Sequence, residues 1–172
     1  RREWHVNALG KGLLVAAAQV ALAASVGAKF LVDRANYPRV WVETAPYDPD
    51  LPIRGRYVSV AVLVDVKRTA VPEADTANVE IFQARLEVQG DRLVAVEDAQ
   101  ALHWVTQRTC GKAKCWQLTD PLAYFIPEHG DDPSRRPAGE TLWVEVTVPP
   151  TGAPRPIRLG VKRNGTLTPL AR

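Results

Sequence analysis

The chain has 172 residues, of which 46% are hydrophobic and 24% are charged, and its formal net charge is +3. The positive excess lies in residues 1–39, which hold six Lys and Arg against two acids, whereas residues 40–172 hold sixteen against seventeen. A nucleic-acid-binding domain carries a basic surface of its own, so this distribution excludes that class of protein.

The most informative segment is a long apolar run near the N-terminus. Residues 12–28 (GLLVAAAQVALAASVGA) contain no charge and no proline, and the run continues past Lys29 to Val32. About twenty apolar residues in a helix cross the ~30 Å hydrocarbon core of a bilayer. A helix packed on a soluble domain would show a polar face, but only Gln19 and Ser25 interrupt this run. We predict a polar lead-in over 1–11, a transmembrane helix over 12–32 and a domain over 33–172.

Two alternatives to an anchor stay open at this point, a cleavable signal peptide and a buried helix of a soluble domain. The small residues from Ser25 to Ala28 are compatible with a cleavage site. The chain starts at Arg1 and contains no methionine, so we expect the true N-terminus to lie upstream. Three Lys or Arg lie near each end of the helix, so the positive-inside rule does not decide its orientation.

The predicted helix is rich in small residues, several of them on or near one face. Small side chains let helices approach closely in lipid, although alanine is also common in anchors that have no partner. We interpret this face as the contact for another transmembrane helix. The expected helix-packing residues are Ala17, Ala21, Ala24 and Ala28.

Beyond residue 39 the pattern changes to the alternation of apolar and polar residues that is typical of strands. Turn residues separate these segments, and no second helix is predicted, which indicates an antiparallel β-sandwich or small barrel of roughly eight strands. Residues 45–52 contain three prolines, and we expect them to lie outside the sheet. The predicted strands are 40–44, 56–66, 78–89, 92–97, 102–108, 116–119, 123–126, 142–148 and 157–163.

Cys110 and Cys115 enclose four residues (CGKAKC) at the tip of a predicted hairpin. A disulfide is the favoured interpretation, and disulfides persist in oxidising compartments. Free thiols and a metal site are the alternatives, but zinc needs four ligands and only His103 and His129 lie nearby. The cysteines therefore favour a periplasmic C-terminal domain on an anchor in the bacterial inner membrane.

One segment carries a resemblance to a known family. Residues 45–62 (APYDPDLPIRGRYVSVAV) resemble the GDYXXLXY family of bacterial single-pass membrane-anchored proteins, which has a proline- and aspartate-rich turn before a Gly-x-Tyr strand start. Residues 124–128 (YFIPE) are similar to a later block of that family. Arg56, Val60 and Val62 depart from the Asp, Leu and Tyr of the family pattern. The resemblance implies one N-terminal helix followed by a β-domain, and it implies no activity for any residue.

The matching residues Asp48, Arg54, Gly55 and Tyr57 are predicted to build a turn. We expect Gly55 to adopt a backbone conformation that a Cβ would strain. The Tyr57 hydroxyl is expected to bond to the turn at Asp48, since a buried phenol needs a partner. The alternative is that the charged side chains of this turn contact a ligand or a partner.

The sequence contains no arrangement of nucleophile, base and orienting group that nucleophilic catalysis requires. We therefore predict no enzyme activity and no catalytic, cofactor-binding or metal-binding residue. The expected function is that of a structural accessory subunit of a larger membrane complex, of photosynthetic or respiratory type, with lipid and other transmembrane subunits as partners. The alternative is a free-standing envelope module that binds a small ligand or a peptide in its sheet.

Overall fold

The computed structural model of the chain describes residues 8–47, 57–68, 80–127 and 132–170. The protein is mainly β, with one N-terminal apolar helix followed by strands that pair almost entirely antiparallel, which confirms the predicted fold class. The chain divides into two compact units, and the boundary between them lies between Tyr37 and Pro38. The elements are α1 (Ala8–Asn36), β1 (Arg39–Tyr47), β2 (Tyr57–Lys67), β3 (Ile81–Gln89), β4 (Arg92–Glu97), β5 (His103–Cys110), β6 (Ala113–Leu118), β7 (Leu122–Phe125), β8 (Glu140–Thr147), β9 (Arg155–Arg163) and β10 (Thr166–Pro169).

The helix α1 covers the whole span predicted from the apolar run and extends it by four residues at each end. Among the described residues it is the one helix long and apolar enough to cross a membrane. Its side chains are exposed along almost the whole length, with the buried Asp33 near the C-terminal end as the exception.

The strands form two groups joined by β1 and β2. The first group, called the side sheet, is β10-β9-β8 together with the first half of β1. The second group, called the ring, is β2-β4-β3-β5-β6, in which the pairing returns from β6 to β2. The β2–β6 contact consists of two residue pairs only, and β2–β4 is parallel, so the ring is not a regular barrel.

Both connecting strands change partners half-way along. The first half of β1, Arg39–Glu43, pairs with β8, and Thr44–Tyr47 pair with β2. The first half of β2 pairs with β1 and β7, and from Leu63 onwards it pairs with β6 and β4. The side sheet and the ring therefore share these two strands at a crossing and diverge beyond it.

The core follows from the run of apolar residues in β2. All five residues from Val58 to Val62 are buried, which requires cover on both faces of the strand. Val144 and Val146 of β8 and Val105 of β5 are completely buried as well. The crossing of β1 and β2 thus lies at the centre of the β-unit's hydrophobic core.

The prediction that residues 45–52 lie outside the sheet is wrong for Ala45–Tyr47, which continue β1. The N–H of Val148 donates to the carbonyl of Pro38, so even-numbered residues of β1 direct their backbone groups towards β8. The pairing with β8 ends at Glu43. The nitrogen of Pro46 therefore points to a side with no strand partner in the described residues, where proline is tolerated.

The described residues form ten strands, where roughly eight were predicted. The nine predicted segments correspond to β1–β9, and β10 was not predicted. β9 and β10 form a hairpin whose two central residues, Asn164 and Gly165, have φ values of 49° and 81°. An Asn-Gly pair with both φ angles positive is the signature of the tightest hairpin turn. The signal for β10 was present in the sequence, but only four residues follow the turn within the strand.

Candidate functional site

An open cleft of about 930 Å³ lies in the β-unit, where the side sheet and the ring diverge. Residues 39–43 of β1 border it on one side, and residues 63–66 of β2 border it on the other. The turn between β3 and β4 and the start of β6 complete the wall. The other lining residues are Gly90, Asp91, Arg92, Leu93, Lys114, Cys115, Trp116, Trp143, Lys162, Gly165 and Leu167.

The floor of the cleft is one face of the side sheet. Trp41 pairs with Glu145, and Glu145 pairs with Arg158, so these three side chains share a face. The Arg158 guanidinium lies 5.3 Å from the centre of the Trp41 ring and forms a 2.6 Å ion pair with Glu145. The indole is thereby held in place by a cation that is itself fixed. Trp41 thus belongs to the first strand, and its ring covers the face of the side sheet.

Gly160 makes this packing possible. A Cβ at Gly160 would lie 2.8 Å from a ring carbon of Trp41 and 3.2 Å from the carbonyl oxygen of Thr168. Both distances are shorter than ordinary van der Waals contact, so the indole occupies the space that a side chain at position 160 would need. The φ of Gly160 is not in the positive range, so backbone conformation does not require glycine here. The close approach of the Trp41 ring does.

A second indole lies next to the first on the same face. The Trp143 N–H donates to the Thr141 hydroxyl at 2.9 Å, and the Lys162 ammonium lies 4.3 Å from the ring centre. Cations over indole rings are attracted by the negative face of the π system. The floor therefore presents two oriented aromatic rings and the Lys162 ammonium, and the Arg158–Glu145 pair supports Trp41 without lining the cleft.

The charges around the cleft are nearly balanced. Four basic residues and three acidic residues line it, and Arg92 and Asp65 form an exposed ion pair at 3.1 Å. The remaining charged residues are Arg39, Lys114, Lys162, Glu43 and Asp91. With so small an excess of one sign, the cleft lacks the positive field that concentrates polyanions.

The backbone of β1 also faces the cleft. Val40 and Val42 direct their backbone groups to β8, and by alternation the N–H groups of Trp41 and Glu43 point the opposite way. In the described parts of the chain β8 is the one strand that pairs with residues 39–43. At the crossing the Thr44 hydroxyl donates to the carbonyl of Leu142 at 2.9 Å. It binds that carbonyl at the point where the ladder with β8 ends.

Cys110 and Cys115 form a disulfide across the β5–β6 hairpin, with their Cα atoms 5.7 Å apart. Gly111 at the tip has a φ of +64°. Lys114 and Cys115 line the cleft, so the disulfide stiffens a hairpin that forms part of the cleft wall. The predicted disulfide therefore lies next to the cleft, which the sequence did not indicate.

Arg68 lies beside two aromatic residues of the ring. Its guanidinium is 4.8 Å from the centre of the Phe82 ring and forms ion pairs with Glu80 at 2.6 Å and with Glu97 at 3.6 Å. Phe82 packs edge-on against Trp116. Because two carboxylates neutralise this arginine, the group stabilises the ring and is not available as an anion site.

His103 connects the start of β5 to the loop before β9. Burial lowers the pKa of His103 below its ordinary value, and a hydrogen bond with the Gly152 backbone and the charge of Asp120 oppose this shift. Burial is the largest of these effects, so the neutral imidazole is favoured. Through its hydrogen bond with the Gly152 backbone, this histidine tethers the loop before β9.

The other predicted site residues do not gather into one site. Ala17, Ala21, Ala24 and Ala28 are exposed on α1. Tyr57 is half-buried at the start of β2, with its ring centre 6.3 Å from that of Phe125. The rest of the predicted turn, Asp48, Arg54 and Gly55, lies outside the described residues, so the hydrogen bond expected for Tyr57 stays a prediction.

Within the described ranges, no group of three or more His, Cys, Asp or Glu side chains has an arrangement that could hold a metal ion. No family model, curated protein or solved structure matches the chain. The resemblance to the GDYXXLXY family therefore stays a prediction, and the functional argument depends on the geometry of the chain itself.

Proposed function

We propose that the protein is a non-catalytic accessory subunit of a larger bacterial membrane complex, held in the inner membrane by α1. The observation that carries the proposal is the exposure of the apolar side chains of α1. Leaving a leucine or valine in water instead of an apolar environment costs about 1.5–3 kcal/mol. The exposed large apolar residues of α1 are Leu9, Leu13, Leu14, Val15, Val20, Leu22, Val26, Phe30, Leu31 and Val32.

A partner helix is supported by the glycines of α1. Glycine in a helix interior costs about 1 kcal/mol relative to alanine. A Cβ at Gly12 or Gly27 would meet nothing within 4 Å, so packing within the described chain does not require glycine there. Close approach of another transmembrane helix would explain why small residues stand at these two positions. It would also explain the alanines at 17, 21, 24 and 28.

The periplasmic placement of the β-unit is supported by the disulfide between Cys110 and Cys115. Disulfides are rare in the reducing cytoplasm and persist in the bacterial periplasm. The N-terminus would then lie in the cytoplasm. Photosynthetic and respiratory assemblies are the expected classes of complex, since both contain small single-pass subunits.

The test is native-size analysis of the full chain, extracted from its own membranes in mild detergent. We expect migration with a multi-subunit complex in wild type. Replacing Ala21 by Leu would prevent close helix approach and reduce recovery with the complex, whereas Ala23→Leu on another face of α1 serves as the matched control. Equal recovery of both variants, or a lone monomer in wild type, contradicts the proposal.

The second candidate is a free-standing envelope module that binds a small ligand or peptide. The specific observation in its favour is the 930 Å³ cleft with two indoles on its floor. Binding sites for small ligands have volumes of about 300–1,000 Å³ and combine apolar rings with a few polar groups. A lone monomer in native-size analysis that still binds a ligand in the cleft distinguishes this function from the first.

A further inference from the structure

We infer that the cleft binds an extended peptide segment whose backbone pairs with the free edge of β1, a reading that rests on the second candidate function. Such strand addition uses main-chain hydrogen bonds for affinity and side-chain contacts for specificity. The ligand class is therefore a protein segment in β conformation, supplied by another chain of the envelope.

The first argument is that five consecutive residues of one strand, 39–43, line the cleft. Side chains of a strand alternate between its two faces, so a surface that touched one face would be lined by every second residue. Because every residue from 39 to 43 lines the cleft, the cleft borders the edge of β1, along which the backbone N–H and C=O groups point.

The second argument is the direction of the backbone groups. The ladder with β8 uses the backbone of Val40 and Val42, and the N–H and C=O of Trp41 and the N–H of Glu43 point into the cleft. No strand in the described ranges pairs with this edge. An unpaired row of backbone groups is a template for another strand, and here the row faces a cleft instead of open solvent.

The third argument is the arrangement of side chains that an added strand would meet. A strand of five residues is about 17 Å long, which matches the length of the part of β1 that lines the cleft. Every second side chain of an added strand would lie on the same face as Trp41 and next to it. We therefore expect apolar or aromatic residues at alternating positions of the ligand.

The charges of the cleft favour a peptide over a polyanion. Four basic residues face three acidic ones, and one of the four, Arg92, is paired with Asp65. A nucleic acid or an anionic lipid surface would need a strong excess of positive charge. Recognition through the backbone needs no such excess.

The experiment selects decapeptides from a random phage-displayed library on the full chain in detergent, and then measures affinity by fluorescence anisotropy of the synthetic peptides. Hydrogen exchange with residue resolution follows on the same complex. The amides of Trp41 and Glu43 should gain protection of about tenfold or more when a new hydrogen bond closes over them. The amides of Val40 and Val42 are already paired with β8 and should change little.

A pair of variants isolates the backbone contribution. Glu43→Pro removes an N–H that the ladder with β8 does not use, and Glu43→Ala removes the same side chain but keeps the N–H. One lost hydrogen bond should weaken binding by about tenfold in the proline variant, with the alanine variant within about twofold of wild type. Equal thermal unfolding of the two variants shows that the fold is intact.

Three results would overturn the inference: no enriched peptide, peptides that bind both Glu43 variants equally, or protection that appears elsewhere than on β1. If the proline variant does not fold, hydrogen exchange on the wild-type complex decides alone. Failure here does not change the native-size result, because that measurement depends on α1. A monomeric chain that binds another small ligand in the cleft but no peptide would reject this inference and keep the second candidate function.

Discussion

Apolar residues occupy 19 of the 29 positions of α1 and fewer than half of the positions of the β-unit, and the two regions place them in opposite environments. In the β-unit, side chains such as Val60 and Val144 have no exposed surface, whereas Leu22 of α1 is 67% exposed. The β-unit therefore stabilises itself by burial, and α1 depends on surroundings that the chain does not supply. A substitution of the same chemical type should therefore have different consequences in the two regions.

The largest expected effect comes from placing a charge in each region. Val144→Asp would bury an unpaired carboxylate in the core, and we expect several kcal/mol of destabilisation, enough to unfold the β-unit. Leu22→Asp should leave the unfolding temperature of the β-unit unchanged and reduce the amount of protein found in the membrane fraction. Circular dichroism melts and membrane fractionation measure these outcomes, and a melt that shifts equally in both variants would remove the distinction.

A smaller effect is expected from adding one methyl group to a glycine of each region. Gly160→Ala forces a Cβ to within 2.8 Å of the Trp41 ring, and we expect a loss of about 1–3 kcal/mol in the free energy of unfolding. Gly12→Ala has open space around it and should not destabilise the β-unit. Urea unfolding of both variants, followed by tryptophan fluorescence, gives the two values. Unchanged stability of Gly160→Ala would mean that the indole is free to move.

The disulfide should contribute less than the core. Closing a loop as short as that between Cys110 and Cys115 removes about 2 kcal/mol of unfolded-state freedom, so the paired Cys→Ser variant should fold with lower stability. The paired Cys→Ser substitution should not change the amount of protein in the membrane fraction, which depends on α1. Mass spectrometry after alkylation without reductant checks the bond directly, and two labelled thiols in native protein would contradict it.

The smallest expected effect is the pH dependence of stability. It should be confined to the β-unit, because α1 contains no histidine. The pKa of His103 is lowered in the folded state, mainly by burial, so the unfolded chain binds this proton more tightly. Its contribution to stability is complete above the ordinary pKa of 6.5 and is lost as the pH falls below it. Unfolding at pH 7.5 and at pH 5.5 should show a smaller difference in His103→Gln than in wild type.

The strands were predictable where their signals were local. Alternation in residues 142–148 predicted β8, and Gly90 with Asp91 marked the turn between β3 and β4. The prediction for the end of β1 was wrong because of Pro46. A proline is incompatible with a strand only where its nitrogen faces a neighbouring strand. That condition depends on where β8 ends, which lies about a hundred residues away along the chain.

The cleft could not be predicted because it arises from strand pairing. Trp41, Trp143 and Lys162 come from three strands, and only the register places them on one face. A partial signal was present in residues 142–148, where alternation puts Trp143 on the same side as the charged Glu145. An indole on the polar side of a strand is unusual enough to suggest a surface role.

The sequence by itself determined the fold class, because the apolar run, the alternating segments and the turn residues act over a few neighbouring positions. The position of the helix, most of the strands and the hairpin with its two cysteines follow from such local chemistry. The tertiary structure decided which strands pair, that β1 and β2 each serve two sheets, and therefore that a strand edge and two indoles border one cleft. Pairing depends on contacts between residues far apart in the chain, whose combined burial outweighs local preference.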